Sequence, residues 1–86
     1  MKKKSVKSIF DKRYIGLIDR LVELRKSKGH TQRTFAQKAG YTNSFVGRVE
    51  VRERRLDVVE LIDYCRALDI SNDEIMELVQ SILDDK

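Results

Sequence analysis

The sequence predicts an all-α fold, a compact bundle of five short helices. Apolar residues recur at helical spacing along nearly the whole chain, and no run alternates apolar and polar residues as a half-buried strand does. Residues that can cap helices stand where several of the apolar runs begin. The chain has 86 residues, a length that favours one domain, and we assign residues 9–86 to it.

The first predicted helix spans residues 11–28. Asp11 can cap its start, and Gly29 follows its end, where glycine is favoured. Its inward face carries apolar residues at the 3-4-3 spacing of a helix: Tyr14, Leu17, Ile18, Leu21 and Leu24.

Two short helices follow in close succession. Thr31 can cap a helix over residues 32–39, and Thr42 can cap one over residues 43–51. The connection between them is about three residues long and contains Gly40, which can adopt the positive φ of a tight turn. Such a pair is typical of a helix-turn-helix motif. The inward residues of the two helices are Phe35, Ala36, Ala39, Phe45, Val46 and Val49.

Two further helices complete the predicted bundle. The fourth covers residues 57–68. Ser71 and Glu74 have the spacing of a capping box, which predicts the start of the fifth. The fourth helix is expected to turn inward Val58, Leu61, Ile62, Cys65 and Leu68. The apolar stripe of the fifth consists of Ile75, Leu78, Val79 and Ile82.

Charge is distributed unevenly along the chain. Residues 1–55 contain 16 Lys/Arg and 5 Asp/Glu, whereas residues 56–86 contain 2 and 9, which gives the net charge of +4. Positive charge concentrated in one part of a small domain is typical of a protein that binds a polyanion. The alternative is a solvated surface with an uneven sequence.

Metal and catalytic chemistry have little support in the sequence. Cys65 is the only cysteine and His30 the only histidine, which excludes an internal disulfide and a metal cage of Cys and His ligands. We find no nucleophile–base–acid set and no phosphate loop, so we expect neither an enzyme nor a cofactor or small-molecule ligand. No apolar run approaches the roughly 18 residues of a membrane span, and we expect a cytoplasmic protein with no membrane partner.

Residues 14–70 resemble the Cro/phage-repressor helix-turn-helix domain, known as the XRE family. That family shows Gly-x-Ser/Thr-Gln before its second helix, Leu-Ala inside it, a glycine turn, a glutamate ending the third helix, an arginine-rich loop, and Ala-Leu ending the fourth helix. The corresponding residues here are Gly29-His30-Thr31-Gln32, Phe35-Ala36, Gly40, Glu50, Arg54-Arg55 and Ala67-Leu68.

The resemblance implies a dimeric, sequence-specific, double-stranded DNA-binding transcriptional regulator whose third helix lies in the major groove. Asn can pair with adenine and Arg with guanine. Base contacts are therefore expected from the face of helix three that points away from the core, which carries Asn43, Ser44, Gly47 and Arg48. Gly47 either brings the backbone close to DNA or is merely tolerated on a solvent face. Phosphate contacts, which give affinity without sequence information, are expected from Gln32, Arg33, Arg52, Arg54 and Arg55.

The end of helix three carries one expected ion pair and two departures from the family pattern. The resemblance implies that Glu50 pairs with Arg25 late in helix one; the alternative is two separate surface charges. Arg52 stands where the family usually has glycine, and Leu56 stands where a proline often starts helix four. Arg52 is therefore expected either to adopt a left-handed backbone at modest cost or to lie within a longer third helix.

Dimerisation is expected from residues 71–86, an acidic and apolar C-terminal helix. A two-fold dimer would place two recognition helices about 34 Å apart and would read an inverted-repeat operator, typical of a repressor that can act on its own promoter. The predicted interface residues are Ile75, Leu78, Val79 and Ile82. The alternative for this stripe is that it packs wholly on helices one and four.

Two more expectations concern the ends of the chain. The alternative function is that of an antitoxin-like or controller-type protein. Its C-terminal helix would bind a partner protein, and DNA binding would be secondary. The basic residues 1–8 are expected to form a flexible arm, which either follows DNA or serves as a solubilising tail.

Overall fold

The computed structural model describes residues 11–84, which fold into five α-helices. No β-strand occurs within that range, so the predicted all-α fold is confirmed. The ends of the first four helices and the start of the fifth lie within one residue of their predicted positions. The predicted arm, residues 1–8, lies outside the described residues. The helices are α1 (Lys12–Ser27), α2 (Gln32–Ala39), α3 (Asn43–Glu50), α4 (Val58–Ala67) and α5 (Asn72–Asp84).

Side-chain caps start the helices where the sequence predicts them. The Thr31 hydroxyl accepts a hydrogen bond from the backbone N–H of Thr34, and the Thr42 hydroxyl accepts one from Phe45, at 3.1 and 3.0 Å. Between α2 and α3 the chain reverses at Gly40, whose φ is +78°. The turn of the helix-turn-helix therefore uses the left-handed conformation that glycine adopts without a steric penalty.

The core lies where α1, α2, α3 and α4 meet. Phe35 of α2 is at its centre, with the Tyr64 ring edge-on at 5.0 Å between centroids and the Tyr41 ring at 6.1 Å. Such tilted aromatic pairs add to the stabilisation that burial itself provides. The buried apolar residues are Leu17, Ile18, Leu21, Leu24, Phe35, Ala36, Val46, Val49, Leu56, Tyr64, Cys65, Leu68, Ile70 and Leu78.

The predicted inward face of α4 is partly wrong. Val58 and Ile62 are exposed, at 72% and 38%. The face that packs on the core instead carries Leu61, Tyr64, Cys65 and Leu68, at the spacing i, i+3, i+4 and i+7. The error has a physical source, since an apolar count favours Val and Ile over a tyrosine, although the Tyr64 ring is the larger apolar body.

The last helix, α5, packs against α1 with one side and leaves the adjacent side open. Leu78 is buried, and Ile75 and Ile82 pack partly against the core. Val79, Met76 and Leu83 remain exposed. The predicted stripe is therefore split between two sides of the helix.

The helix-turn-helix is also attached to the end of α4. The Lys38 ammonium at the end of α2 donates to the Ala67 carbonyl at 2.8 Å and to the Asp69 carboxylate at 2.5 Å. A cation at the carboxyl end of a helix satisfies terminal carbonyls and interacts favourably with the helix dipole.

The described helices include none that is both long and apolar enough to cross a membrane.

Candidate nucleic-acid interface

One face of α3 is polar and solvent-facing. Asn43, Ser44 and Arg48 are exposed, and Gly47 between them is half-buried. On the opposite face Val46 and Val49 are 0% and 1% exposed and anchor the helix in the core. The structure therefore brings the four predicted base-contact residues together on one surface.

An ion pair joins this helix to α1. The Arg25 guanidinium donates to both carboxylate oxygens of Glu50, through Nε to Oε2 at 2.6 Å and through Nη2 to Oε1 at 3.0 Å. The two side chains are only 8% and 9% exposed. Arg25 Nη1 also donates to the carbonyl of His30, at 2.7 Å. A buried pair of this kind is costly to break because the surviving partner would be left as an uncompensated charge.

The same carboxylate also holds the first side chain of α2. Gln32 Nε2 donates to Glu50 Oε1 at 2.9 Å. Glu50 thereby accepts three hydrogen bonds from two other helices and fixes the orientation of the recognition helix relative to α1 and α2. Gln32 is predicted from the sequence to contact a phosphate, but no sequence pattern indicates its hydrogen bond to Glu50.

Three of the predicted DNA-contacting arginines make no side-chain hydrogen bond or ion pair with another residue of 11–84. Arg33 at the start of α2 and Arg48 on α3 are exposed, and Arg52 in the loop after α3 is half-buried. Cations at such positions are available to bases or phosphates. Arg55 is exposed as well, in the loop that leads to α4.

Arg54 has partners within the protein. Its guanidinium donates to both Glu60 oxygens, at 2.5 and 3.2 Å, and to the Arg55 carbonyl, and it lies 5.3 Å from the centre of the Phe45 ring. The hydrogen bonds from Arg54 hold the pKa of the Glu60 carboxyl below its usual range, so Glu60 stays ionised. Asp57 and Glu60 form a capping box at the start of α4. Their D-x-x-E spacing is a sequence signal of such a box, although no cap was predicted for this helix.

The loop after α3 shows how the two departures from the family pattern are accommodated. α3 ends at Glu50, and Arg52 has a φ of +67°, so the left-handed alternative is correct and the longer helix is wrong. Leu56 is buried, and its backbone N–H donates to the Tyr14 hydroxyl at 3.2 Å. A proline at that position has no N–H and would leave the hydroxyl without this donor.

The comparisons with known proteins agree with this geometry. The family model described as helix-turn-helix matches residues 21–75, more than half of the chain. A solved structure described as an XRE-family like protein from Pseudomonas syringae pv. tomato str. DC3000 matches with a TM-score of 0.76 and 36% identity, over 94% of this chain and 95% of that one. No curated protein matches the chain. The chain therefore belongs to the XRE-type helix-turn-helix family of DNA-binding transcription regulators.

Proposed function

We propose that this regulator is a cytoplasmic dimeric repressor that reads an inverted-repeat operator with α3 in the major groove. The observation that carries the proposal is the exposed polar face of α3, held in place by the buried pair of Arg25 and Glu50. A recognition helix must present its side chains in a fixed geometry, since bidentate base contacts tolerate little misplacement. Asn43 and Arg48, both exposed on that face, supply the side chains that pair with adenine and guanine.

Phosphate contacts would flank the recognition helix on both sides. Arg33 lies at the amino end of α2, where backbone N–H groups and the helix dipole favour an anion. Arg52 and Arg55 lie in the loop after α3. Arg54 would reach a phosphate only by sharing its charge with Glu60, so we expect a weaker contribution from it.

Dimerisation is proposed through the outward side of α5. Met76, Val79 and Leu83 are exposed there at the spacing i, i+3 and i+7, which forms one apolar strip. The other predicted interface residues, Ile75, Leu78 and Ile82, pack wholly or partly against the core and would hold the helix in position. A two-fold axis through such a strip pairs each residue with its copy and matches a two-fold symmetric operator.

A specific observation also favours the alternative function. α5 carries acidic residues in its first turn and no basic residue in its last, so two copies of the strip would bring acidic surfaces together. A basic, apolar segment of another protein would avoid that repulsion. Native mass spectrometry of the protein purified from its own cells distinguishes the two: a homodimer supports the repressor, and a stoichiometric partner protein supports the antitoxin-like alternative.

Sequence-specific binding is tested by fluorescence anisotropy. The protein is titrated against the duplex upstream of its own gene and against a scrambled duplex, at low and physiological salt. Tight binding to the native duplex alone at physiological salt supports an autoregulatory repressor. Equal binding to both duplexes that disappears with salt would reduce the interaction to charge alone.

A matched pair of variants assigns the roles of the exposed arginines. Arg48→Ala should weaken binding to the native duplex about 5- to 150-fold, as loss of a good bidentate base contact does, with a small effect on the scrambled one. Arg33→Ala should weaken binding to both alike and reduce the salt slope by about 0.9. Identical behaviour of the two variants would remove Arg48 as a base reader.

A further inference from the structure

We infer that Gln32, the first residue of α2, reads a base of the operator through its carbonyl oxygen, beside the gap that Gly47 leaves in α3. The inference rests on the proposed function, because it adds one specificity-determining residue to the same interface. It replaces the expectation that Gln32 contacts only a phosphate.

The orientation of the Gln32 amide is set by Glu50. Its nitrogen lies 2.9 Å from Glu50 Oε1. The reversed amide would place two acceptor oxygens at that distance, since the carboxylate offers no proton. The Glu50 carboxylate is itself fixed by two hydrogen bonds from Arg25. The Gln32 oxygen therefore points away from the network, and its orientation does not depend on DNA.

That oxygen lies beside the bare backbone of the recognition helix. A Cβ at Gly47 would lie 3.7 Å from Gln32 Oε1, and no other atom outside its own helix would be within 4 Å. Gly47 is one turn after Asn43, on the side of α3 that carries the exposed polar residues. A side chain at position 47 would therefore start in contact with the Gln32 oxygen, whereas glycine leaves that space empty for a base edge.

The chemistry of the atom predicts which bases it recognises. An amide oxygen only accepts hydrogen bonds, and the donors in the major groove are the N6 amine of adenine and the N4 amine of cytosine. Phosphate oxygens also only accept, so the Gln32 oxygen cannot bind them. We therefore expect one position of each half-site to prefer adenine or cytosine because of Gln32.

The experiment is a selection from random duplexes with the wild-type protein, with Gln32→Ala, with Gln32→Met, and with Arg33→Ala as the matched control. Both Gln32 variants should fold, because Arg25 still neutralises Glu50, and thermal melting checks this. We expect the two Gln32 variants to lose the preference for adenine or cytosine at one position per half-site by about fivefold, the factor that one uncharged hydrogen bond provides. Arg33→Ala should keep every preference and bind all sequences more weakly.

Unchanged preferences at every position in both Gln32 variants, with affinity lowered evenly, would overturn the inference and return Gln32 to a phosphate contact. That result would leave the proposed function intact, since the wild-type protein would still select an operator. A wild-type protein that selects no sequence would refute the proposed function itself, and the inference with it.

Discussion

Replacing Glu50 with alanine should destabilise the fold far more than any exposed ion pair can. The substitution leaves the Arg25 guanidinium buried, with the His30 carbonyl as its one remaining partner among residues 11–84. It also removes the acceptor of the Gln32 amide. Removing one partner of a buried pair costs about 3–5 kcal/mol. A domain of this size has a total stability of roughly 4–13 kcal/mol, so Glu50→Ala should lower its melting temperature by at least about 12 °C.

The free energy of unfolding is measured in urea, with circular dichroism as the signal. Two further variants serve as comparisons. Glu23→Ala breaks the exposed pair of Arg20 and Glu23, whose side chains are 54% and 70% exposed, and should cost at most about 0.5 kcal/mol. The double variant Arg25→Met/Glu50→Leu removes both charges and should recover most of the loss. A cost for Glu50→Ala below about 1 kcal/mol would show that the pair is solvated, and the explanation of how α3 is held would be wrong.

Four further predictions test other parts of the structure. Tyr64→Phe should leave the free energy of unfolding unchanged or raise it, by about 3 kcal/mol at most. The reason is that the Tyr64 hydroxyl is buried and has no hydrogen-bond partner within the described residues. A loss of more than about 1 kcal/mol in urea unfolding would reveal such a partner. Gly16→Ala should stabilise α1 by roughly 0.5–1 kcal/mol, since the added methyl meets no atom within 4 Å apart from its chain neighbours and the backbone of its own helix. A lowered melting temperature would contradict this. Arg52→Gly should raise the free energy of unfolding by about 1 kcal/mol, because glycine adopts a φ of +67° without a steric penalty. The same variant should bind DNA more weakly and lower the slope of log affinity against log salt concentration by about 0.9. Unchanged binding would remove Arg52 from the phosphate contacts. Burial raises the pKa of the Cys65 thiol from 9.0 to about 11, so folding favours the protonated thiol, and the stability that this provides below pH 9 is lost as the pH rises through 11. Over that interval wild type should lose roughly 1–3 kcal/mol more stability than Cys65→Ala, and equal losses would show that the thiol titrates normally.

The helices could be predicted from the sequence because their signals are local. Thr31, Thr42 and Ser71 lie at the starts of apolar periodic runs, and each accepts a backbone hydrogen bond from the residue three positions on. The inward face of α4 could not be predicted as well. It depends on which side of the helix meets α2, and that is a property of the assembled bundle rather than of the apolar pattern alone.

The candidate interface was predictable in part for the same reason. The polar face of α3 follows from the positions of Val46 and Val49, which lie on the opposite side of one helix. Gln32 donates to Glu50, 18 positions along the chain, and no spacing rule within one helix predicts such a contact. Arg54 donates to Glu60, 6 positions along the chain. The sequence therefore predicts which cations surround the candidate interface, but not which of them are already paired within the protein.

Three departures from local rules lie around the recognition helix. Gly47 weakens a helix interior by about 1 kcal/mol relative to alanine, Arg52 adopts a backbone that costs a non-glycine residue about 1–2 kcal/mol, and Arg25 is a buried cation that needs Glu50. Departures also occur elsewhere in the described chain: Asp69, which follows α4, has a φ of +60°, and one buried tyrosine hydroxyl has no partner among the described residues. Strain and buried charge that persist at one surface indicate a function that depends on them. Each of the three departures at α3 would serve the proposed DNA interface: Gly47 would open the helix surface, Arg52 would place a cation beside it, and the buried pair would fix its orientation.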